Sequence, residues 1–256
     1  MAKGKFSIND EHLSPNQLRT AFSMAKQKHN LLTNGDLDLL FEIGLRNQTL
    51  FRTFDKSKCN NADSYFDQWV KSYLDSCNNP ASKSIANPKK SCSDPAIALI
   101  VETAKGITSV TSNSYEAYHN LFMSAENIQG RLLEEYIASK VRPYGFLWCA
   151  GNVLHAVDFC NTDGTLLLQV KNKNNTENSS SKDVREGTQI KMWYRLKTKS
   201  VKKVPKPVFN WDSLNTCIND AATEGQHLPP CNMSENDYQA FLRKVVRANC
   251  DIITDR

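Results

Sequence analysis

The stretch Val157-Asp-Phe-Cys-Asn-Thr-Asp-Gly-Thr-Leu-Leu-Leu-Gln-Val-Lys171 decides how the chain folds. Asp163-Gly164 between two apolar-flanked runs is a two-residue hairpin signal, because a type I′ turn needs positive φ at both positions. With those two as the turn, cross-strand partners have numbers that sum to 327: Thr162 faces Thr165, Cys160 faces Leu167 and Asp158 faces Gln169. Strand residues two apart share a face, so Lys171 lies beside Gln169 and diagonally across from Asp158. The opposite face collects Val157, Phe159, Leu168 and Val170, all suited to a core. A slip of one residue would bury Asp158 and Lys171 instead, so the apolar pattern fixes the register.

An acid with a lysine one strand over is what a metal-dependent phosphodiesterase needs. The carboxylate can hold Mg²⁺, which wants hard oxygen ligands, and an amide oxygen such as that of Gln169 can add to the shell. The lysine can position a water against phosphorus or offset charge on the phosphoryl oxygens. The same geometry also describes a surface ion pair, worth ~0–1 kcal/mol. Its surroundings favour the chemistry. Upstream, Gly130-Arg-Leu-Leu-Glu134-Glu135-Tyr136 puts acids on a helix before the sheet. Downstream, Asn172–Ser181 is dense in side chains that bond base edges or phosphates, and Arg185, Lys191, Arg195 and Lys197 follow.

The charge distribution agrees. The 256 residues carry 32 Lys+Arg and 27 Asp+Glu, a net +5. Lys140–Lys206 holds thirteen basic residues against five acidic, +8 locally, which leaves −3 for the rest. One basic block between mildly acidic flanks implies a local polyanion contact. Eight dispersed cysteines without a Cys-x-x-Cys or finger spacing read as reduced, mostly buried thiols and not as zinc ligands or a disulfide framework. The N-terminal residues lack an apolar signal core and no run is long enough to span a bilayer, so a cytoplasmic location is expected.

Outward from the hairpin, the first half reads as helices: Gln17–His29, Asp36–Arg46, Ala62–Leu74 with Tyr65, Trp69 and Tyr73 as a core stripe, and one capped by Asp94-Pro95 that runs through Ile97, Leu99 and Ile100. A long helix spans about Ser124–Val141. Gly145–Ala150, Val153–Cys160 and Thr165–Val170 read as strands, Gln189–Lys197 as a helix capped by Thr188, and the tail as helices around Asn210–Leu214 and after Ser234. Helices, a small antiparallel sheet, then helices make an α+β fold.

The blocks Leu133-Glu-Glu-Tyr-Ile137, Ala156-Val-Asp-Phe159, Leu168-Gln-Val-Lys-Asn172, Asn175-Thr-Glu-Asn-Ser-Ser-Ser181 and Gly187-Thr-Gln-Ile-Lys-Met-Trp-Tyr-Arg195 resemble the PD-(D/E)xK restriction endonucleases, most of all their SinI-like type II group. Asn210-Trp211 and the helix around Tyr238–Val245 resemble the tail of that group. The resemblance implies a restriction-endonuclease-like core over 116–256, with a small mixed sheet, a catalytic hairpin and flanking helices, and a helical N-terminal region over 1–115. It implies a Mg²⁺-dependent homodimer that cuts duplex DNA at a short palindrome, GGWCC in related enzymes, alongside a protective DNA methyltransferase. Asp158 then matches the metal-binding acid, Lys171 the signature lysine, and Gln169 stands where a second acid is usual. Glu134 is the helix acid, with Glu135 and Glu177 as alternatives. The DNA-facing candidates are Asn175, Glu177, Asn178, Ser179, Arg185, Lys191 and Arg195. Two other readings fit the residues: a structure-specific repair or recombination nuclease, and a non-catalytic nucleic-acid-binding protein.

Overall fold

A computed structural model of the chain describes residues 4–31, 35–85, 94–173, 189–201, 204–222 and 228–253. In chain order its elements are β1 (Lys5–Phe6), α1 (Pro15–Lys28), α2 (Gly35–Arg46), β2 (Phe54–Asp55), α3 (Ala62–Asn78), α4 (Pro95–Lys105), α5 (Ser109–Val141), β3 (Phe146–Trp148), β4 (Phe159–Asn161), β5 (Leu167–Lys173), β6 (Ile190–Val201), β7 (Val204–Phe209), α6 (Trp211–Ala221) and α7 (Glu235–Ala248). They fall into two compact units, Met1–Asn79 with Ile137–Glu235, and Pro80–Tyr136 with Asn236–Arg256.

In the first unit, local chemistry sets where the helices begin. The Ser14 hydroxyl accepts the Gln17 N–H, the Gln17 side chain accepts the Ser14 N–H, and Pro15 opens α1 where its missing donor costs nothing. Asn61 and Ser64 build the same reciprocal cap on α3. These helices turn Phe22, Phe41, Phe66 and Trp69 into one aromatic cluster, with Phe22 stacked on Phe41 at 4.1 Å between ring centroids. Tyr65, Trp69 and Tyr73 are buried in that core. Leu147, Cys149, Val157, Cys160 and Leu167 belong to it as well, so α1–α3 and the hairpin are held by a single apolar cluster. The indole N–H of Trp69 reaches the Val153 carbonyl at 2.8 Å. Five cysteines are buried and, with Cys77 and Cys250, are unbridged among the described residues.

Five strands form one sheet in the order β3-β4-β5-β6-β7. The hairpin register follows the sequence: Phe159 pairs with Leu168 and Cys160 with Leu167. Its turn differs from type I′. Gly164 alone has positive φ, at 72°, and its N–H donates to the Asn161 carbonyl at 2.9 Å. The Asp163 carboxylate takes the N–H of Thr165 at 2.8 Å and the Asn161 side chain takes that of Leu166 at 2.8 Å, so side chains satisfy donors that a tighter turn would pair directly. Both faces of the hairpin are covered near the turn, because Cys160 and Leu167 are buried as well as Phe159, Leu168 and Val170.

Three sequence expectations are corrected. The strand read over Val153–Cys160 is confined to Phe159–Asn161, since the chain reverses before it with Ala156 at φ 59°. The helix read over Gln189–Lys197 is strand β6, which runs parallel to β5 with Gln169 opposite Met192 and Lys171 opposite Tyr194. Ile190, Trp193 and Tyr194 are strand-favouring residues, and pairing with β5 outweighs the weak helical pattern. The sheet is therefore mixed, not antiparallel throughout, as the parallel β5–β6 pair shows.

Arg195 on β6 fastens the far side of this unit. It is 7% exposed; its Nε donates to Asn172 at 2.9 Å and its Nη1 to Glu235 at 2.7 Å, and its guanidinium lies 5.3 Å from the Phe209 ring centroid. The indole N–H of Trp211 also donates to Glu235, at 3.0 Å. In the second unit, Ala81, Ile128, Leu132, Val245 and Ile252 make a separate small core, and Tyr136 lies 5.3 Å from Tyr238 between ring centroids.

Two stability predictions follow from this packing. A Cβ on Gly151, whose φ is 72°, would sit 2.2 Å from the Ser72 carbonyl oxygen, so Gly151→Ala must strain the backbone and displace α3. Urea unfolding should show a loss of about 3 kcal/mol or more, combining left-handed strain with a backbone clash. Arg195→Ala removes the cation that the half-buried Glu235 holds at 2.7 Å and should cost about 3–5 kcal/mol in the absence of DNA. The exposed Lys191→Ala should stay within about 0.5 kcal/mol of the parent. Equal stability of the Arg195 variant would contradict the structural role.

Candidate active site

The site is built where the β4–β5 ladder stops. Backbone pairing ends at Phe159, and the Asp158 N–H still reaches the Leu168 carbonyl at 2.9 Å while its own carbonyl accepts the Cys149 N–H at 2.9 Å. Two residues further along β5, beyond the last paired residue of β4, the Val170 N–H meets a side chain in place of a strand carbonyl. That side chain is the Asp158 carboxylate, with Oδ2 2.7 Å from the nitrogen. The side chain thus completes the edge of the sheet, and the backbone N–H fixes where its charge sits.

Burial pushes the Asp158 carboxyl above the usual carboxylate range, against the opposing pull of the Val170 N–H and the positive charge of Lys171. Desolvation, not a like charge, is the cause, so the group gains by pairing with a cation. Gln169, 9% exposed, precedes Val170 on β5, and the half-buried Lys171 follows it. An anionic oxygen, a neutral amide side chain and an ammonium group therefore lie on neighbouring positions of two strands. Among the described residues no three His, Cys, Asp or Glu side chains come together as a metal cluster. Asp158 with Gln169 offers a small set of hard protein oxygens, which suits Mg²⁺ because that ion keeps several waters.

The other candidates lie as follows. Glu134 and Glu135 are on α5 in the second unit, both half-buried. Glu135 uses both carboxylate oxygens on Ser82, taking its N–H at 2.9 Å and its hydroxyl at 2.5 Å. That contact ties α5 to the Ala81–Lys83 turn. Lys191 is exposed at the start of β6, with Nζ 3.5 Å from the Cys217 sulfur. Arg195 is buried and engaged with Asn172 and Glu235, so its guanidinium faces protein. Asn175, Glu177, Asn178, Ser179 and Arg185 fall outside the described residues. Sequence reading missed the Val170 N–H as the partner of Asp158 and the Asn172–Arg195–Glu235 chain. The latter joins positions 23 and 40 residues apart, a separation at which no local pattern signals contact.

A family model described as SinI restriction endonuclease matches residues 61–246. The type II restriction enzyme SinI of Salmonella infantis is 30% identical over 209 residues, 70% of this chain and 84% of that enzyme. The type II restriction enzyme Eco47I of Escherichia coli is 34% identical over 160 residues, 61% of this chain and 63% of that enzyme. The matched segment includes the whole five-stranded sheet, Asp158 and Lys171. The chain belongs to the SinI restriction endonuclease family and is a type II restriction endonuclease, a site-specific deoxyribonuclease.

Proposed function

We propose that the enzyme hydrolyses both strands of duplex DNA at a short palindromic site, of the GGWCC type, from a PD-(D/E)xK centre formed by Asp158, Gln169 and Lys171. The observation that carries the proposal is the desolvated Asp158 carboxylate, fixed by the Val170 N–H beside a lysine. Asp158 and Gln169 would hold Mg²⁺. When bound, the metal supplies charge at the phosphoryl oxygens and a water of lowered pKa.

The chain's own residues do the rest. The Val170 N–H holds one Asp158 oxygen, so the other is aimed by the sheet edge and not by a free rotamer. The Lys171 ammonium donates to the attacking water or to a non-bridging phosphate oxygen and offsets the negative charge that builds there. Asn175, Glu177, Asn178, Ser179, Arg185 and Lys191 are proposed to face the DNA. Arg195 would act by fixing Asn172 next to Lys171. A palindromic duplex matches a two-fold protein, so the working form is a homodimer. The proposed setting is the cytoplasm, together with a DNA methyltransferase that protects the host's own sites. Among the described residues no helix is long and apolar enough to cross a membrane.

Digestion of a sequenced plasmid with Mg²⁺, followed by end mapping, should give discrete fragments whose ends share one palindrome. Asp158→Ala and Lys171→Ala should retain specific binding in a gel-shift assay. Their cleavage rates should fall by at least about 10²–10³-fold, the scale of losing one charge-stabilising group. Undiminished cutting by either purified variant would remove it from the centre.

A further inference from the structure

Strand β6 outruns its parallel neighbour. The β5–β6 register ends at Lys173 opposite Leu196, and from Lys197 onward, among the described residues, β6 pairs with β7 alone. The two strands therefore extend past the rest of the sheet as a two-stranded ribbon, with Lys197 opposite Val208, Thr198 opposite Pro207 and Lys199 opposite Lys206. Side chains alternate along a strand and directly opposed residues share a face, so one face of the ribbon carries Lys197, Lys199 and Lys206. All three are exposed. At about 3.3 Å per residue, Lys197 lies about 10 Å and Lys199 about 17 Å along β6 from Tyr194, the residue opposite Lys171. The ribbon thus carries on the strand direction of the proposed centre.

Charge tells what that face can hold. Residues 187–211 contain seven Lys and Arg side chains and no Asp or Glu. At the root of the ribbon, Arg195 is neutralised by Glu235, 2.7 Å away. Farther out, among the described residues, no carboxylate pairs with Lys197, Lys199 or Lys206. Lys199 and Lys206 stand directly opposite each other, and like charges so placed destabilise a ladder. Protection of an open sheet edge accounts for Pro205, Pro207 and one lysine between them on β7. It does not call for two more lysines on β6, aligned on the same face. An anion laid along that face removes the repulsion. The substrate of a deoxyribonuclease is a polyanion, and the grooves of a duplex admit a two-stranded ribbon. Residues 197–209 include no Arg, Asn, Gln, Asp or Glu to read base edges, and lysine is a point charge suited to phosphate.

We propose that the lysine face of the β6–β7 ribbon is a phosphate clamp: it holds the sugar–phosphate backbone of the duplex beside the Asp158–Lys171 centre and supplies affinity without sequence preference. The inference rests on the reading of duplex DNA as the ligand of that centre and adds three contacts to it. Fluorescence anisotropy tests it on the full chain, with one labelled duplex that contains the mapped site and one scrambled duplex, in metal-free buffer over a series of NaCl concentrations. For the wild-type chain the logarithm of the association constant should fall linearly with the logarithm of salt concentration. Joint replacement Lys197→Ala, Lys199→Ala and Lys206→Ala should flatten that slope by about 2–3, at about 0.9 per phosphate contact. It should weaken both duplexes by the same factor, at least about tenfold, and leave the mapped cleavage ends unchanged. The matching arginine replacements should keep the wild-type slope. Joint replacement of three exposed lysines elsewhere, Lys56→Ala, Lys58→Ala and Lys71→Ala, removes the same charge and should leave the slope unchanged. All variants should keep the parent circular-dichroism spectrum, since every position is exposed. A wild-type chain that binds neither duplex would overturn the DNA reading itself. With wild-type binding intact, an unchanged slope in the ribbon variant, an equal flattening in the control, or a loss confined to the mapped site would overturn the clamp alone.

Discussion

The hydrogen bond from the Val170 N–H to the Asp158 carboxylate is the contact on which the site depends. A sheet edge normally offers its last amide to water or to a neighbouring carbonyl. Here a side chain closes the ladder, and three consequences follow from one bond of 2.7 Å. The acid is desolvated where a free rotamer would have hydrated it, its unbonded oxygen has a set direction, and the next side chain along β5 on that face is Lys171. The raised pKa of Asp158 reports the same arrangement, because burial outweighs both the amide and the lysine.

That arrangement is supported from two sides of the sheet by different physics. Near the turn, Cys160 and Leu167 join the aromatic cluster of α1–α3, so the N-terminal helices fix the hairpin by apolar contact. Beyond Lys171, support is polar: Asn172 is held by Arg195, which is held by Glu235. Apolar burial sets how deep the hairpin sits. The planar guanidinium sets the direction of the strand as it leaves the site, a task for which a lysine's point charge would be a poor substitute.

Much of this was legible in the sequence, for physical reasons. The register came from alternation of apolar and polar residues around Asp163-Gly164, and a period of two leaves little freedom once one face must be buried. The turn type was not legible, because Asp163 and Asn161 bond to nearby amides and change which residue needs positive φ. Strand β6 was misread as a helix because its hydrogen-bond partner is a parallel strand, which no local pattern announces. Family likeness named the enzyme, while the basic block of Lys140–Lys206 had pointed only to a polyanion.

The central claim is that Asp158 is the acid that holds the divalent cation. Titration of Mn²⁺ into the protein–DNA complex, with free ion counted by its electron paramagnetic resonance signal, tests it without relying on cleavage. The wild-type chain should take up the ion in a saturable manner, and Asp158→Ala should lose at least about a factor of ten in affinity, in line with the loss of a charged ligand from a hard-cation site. Equal uptake by the two chains would contradict the account.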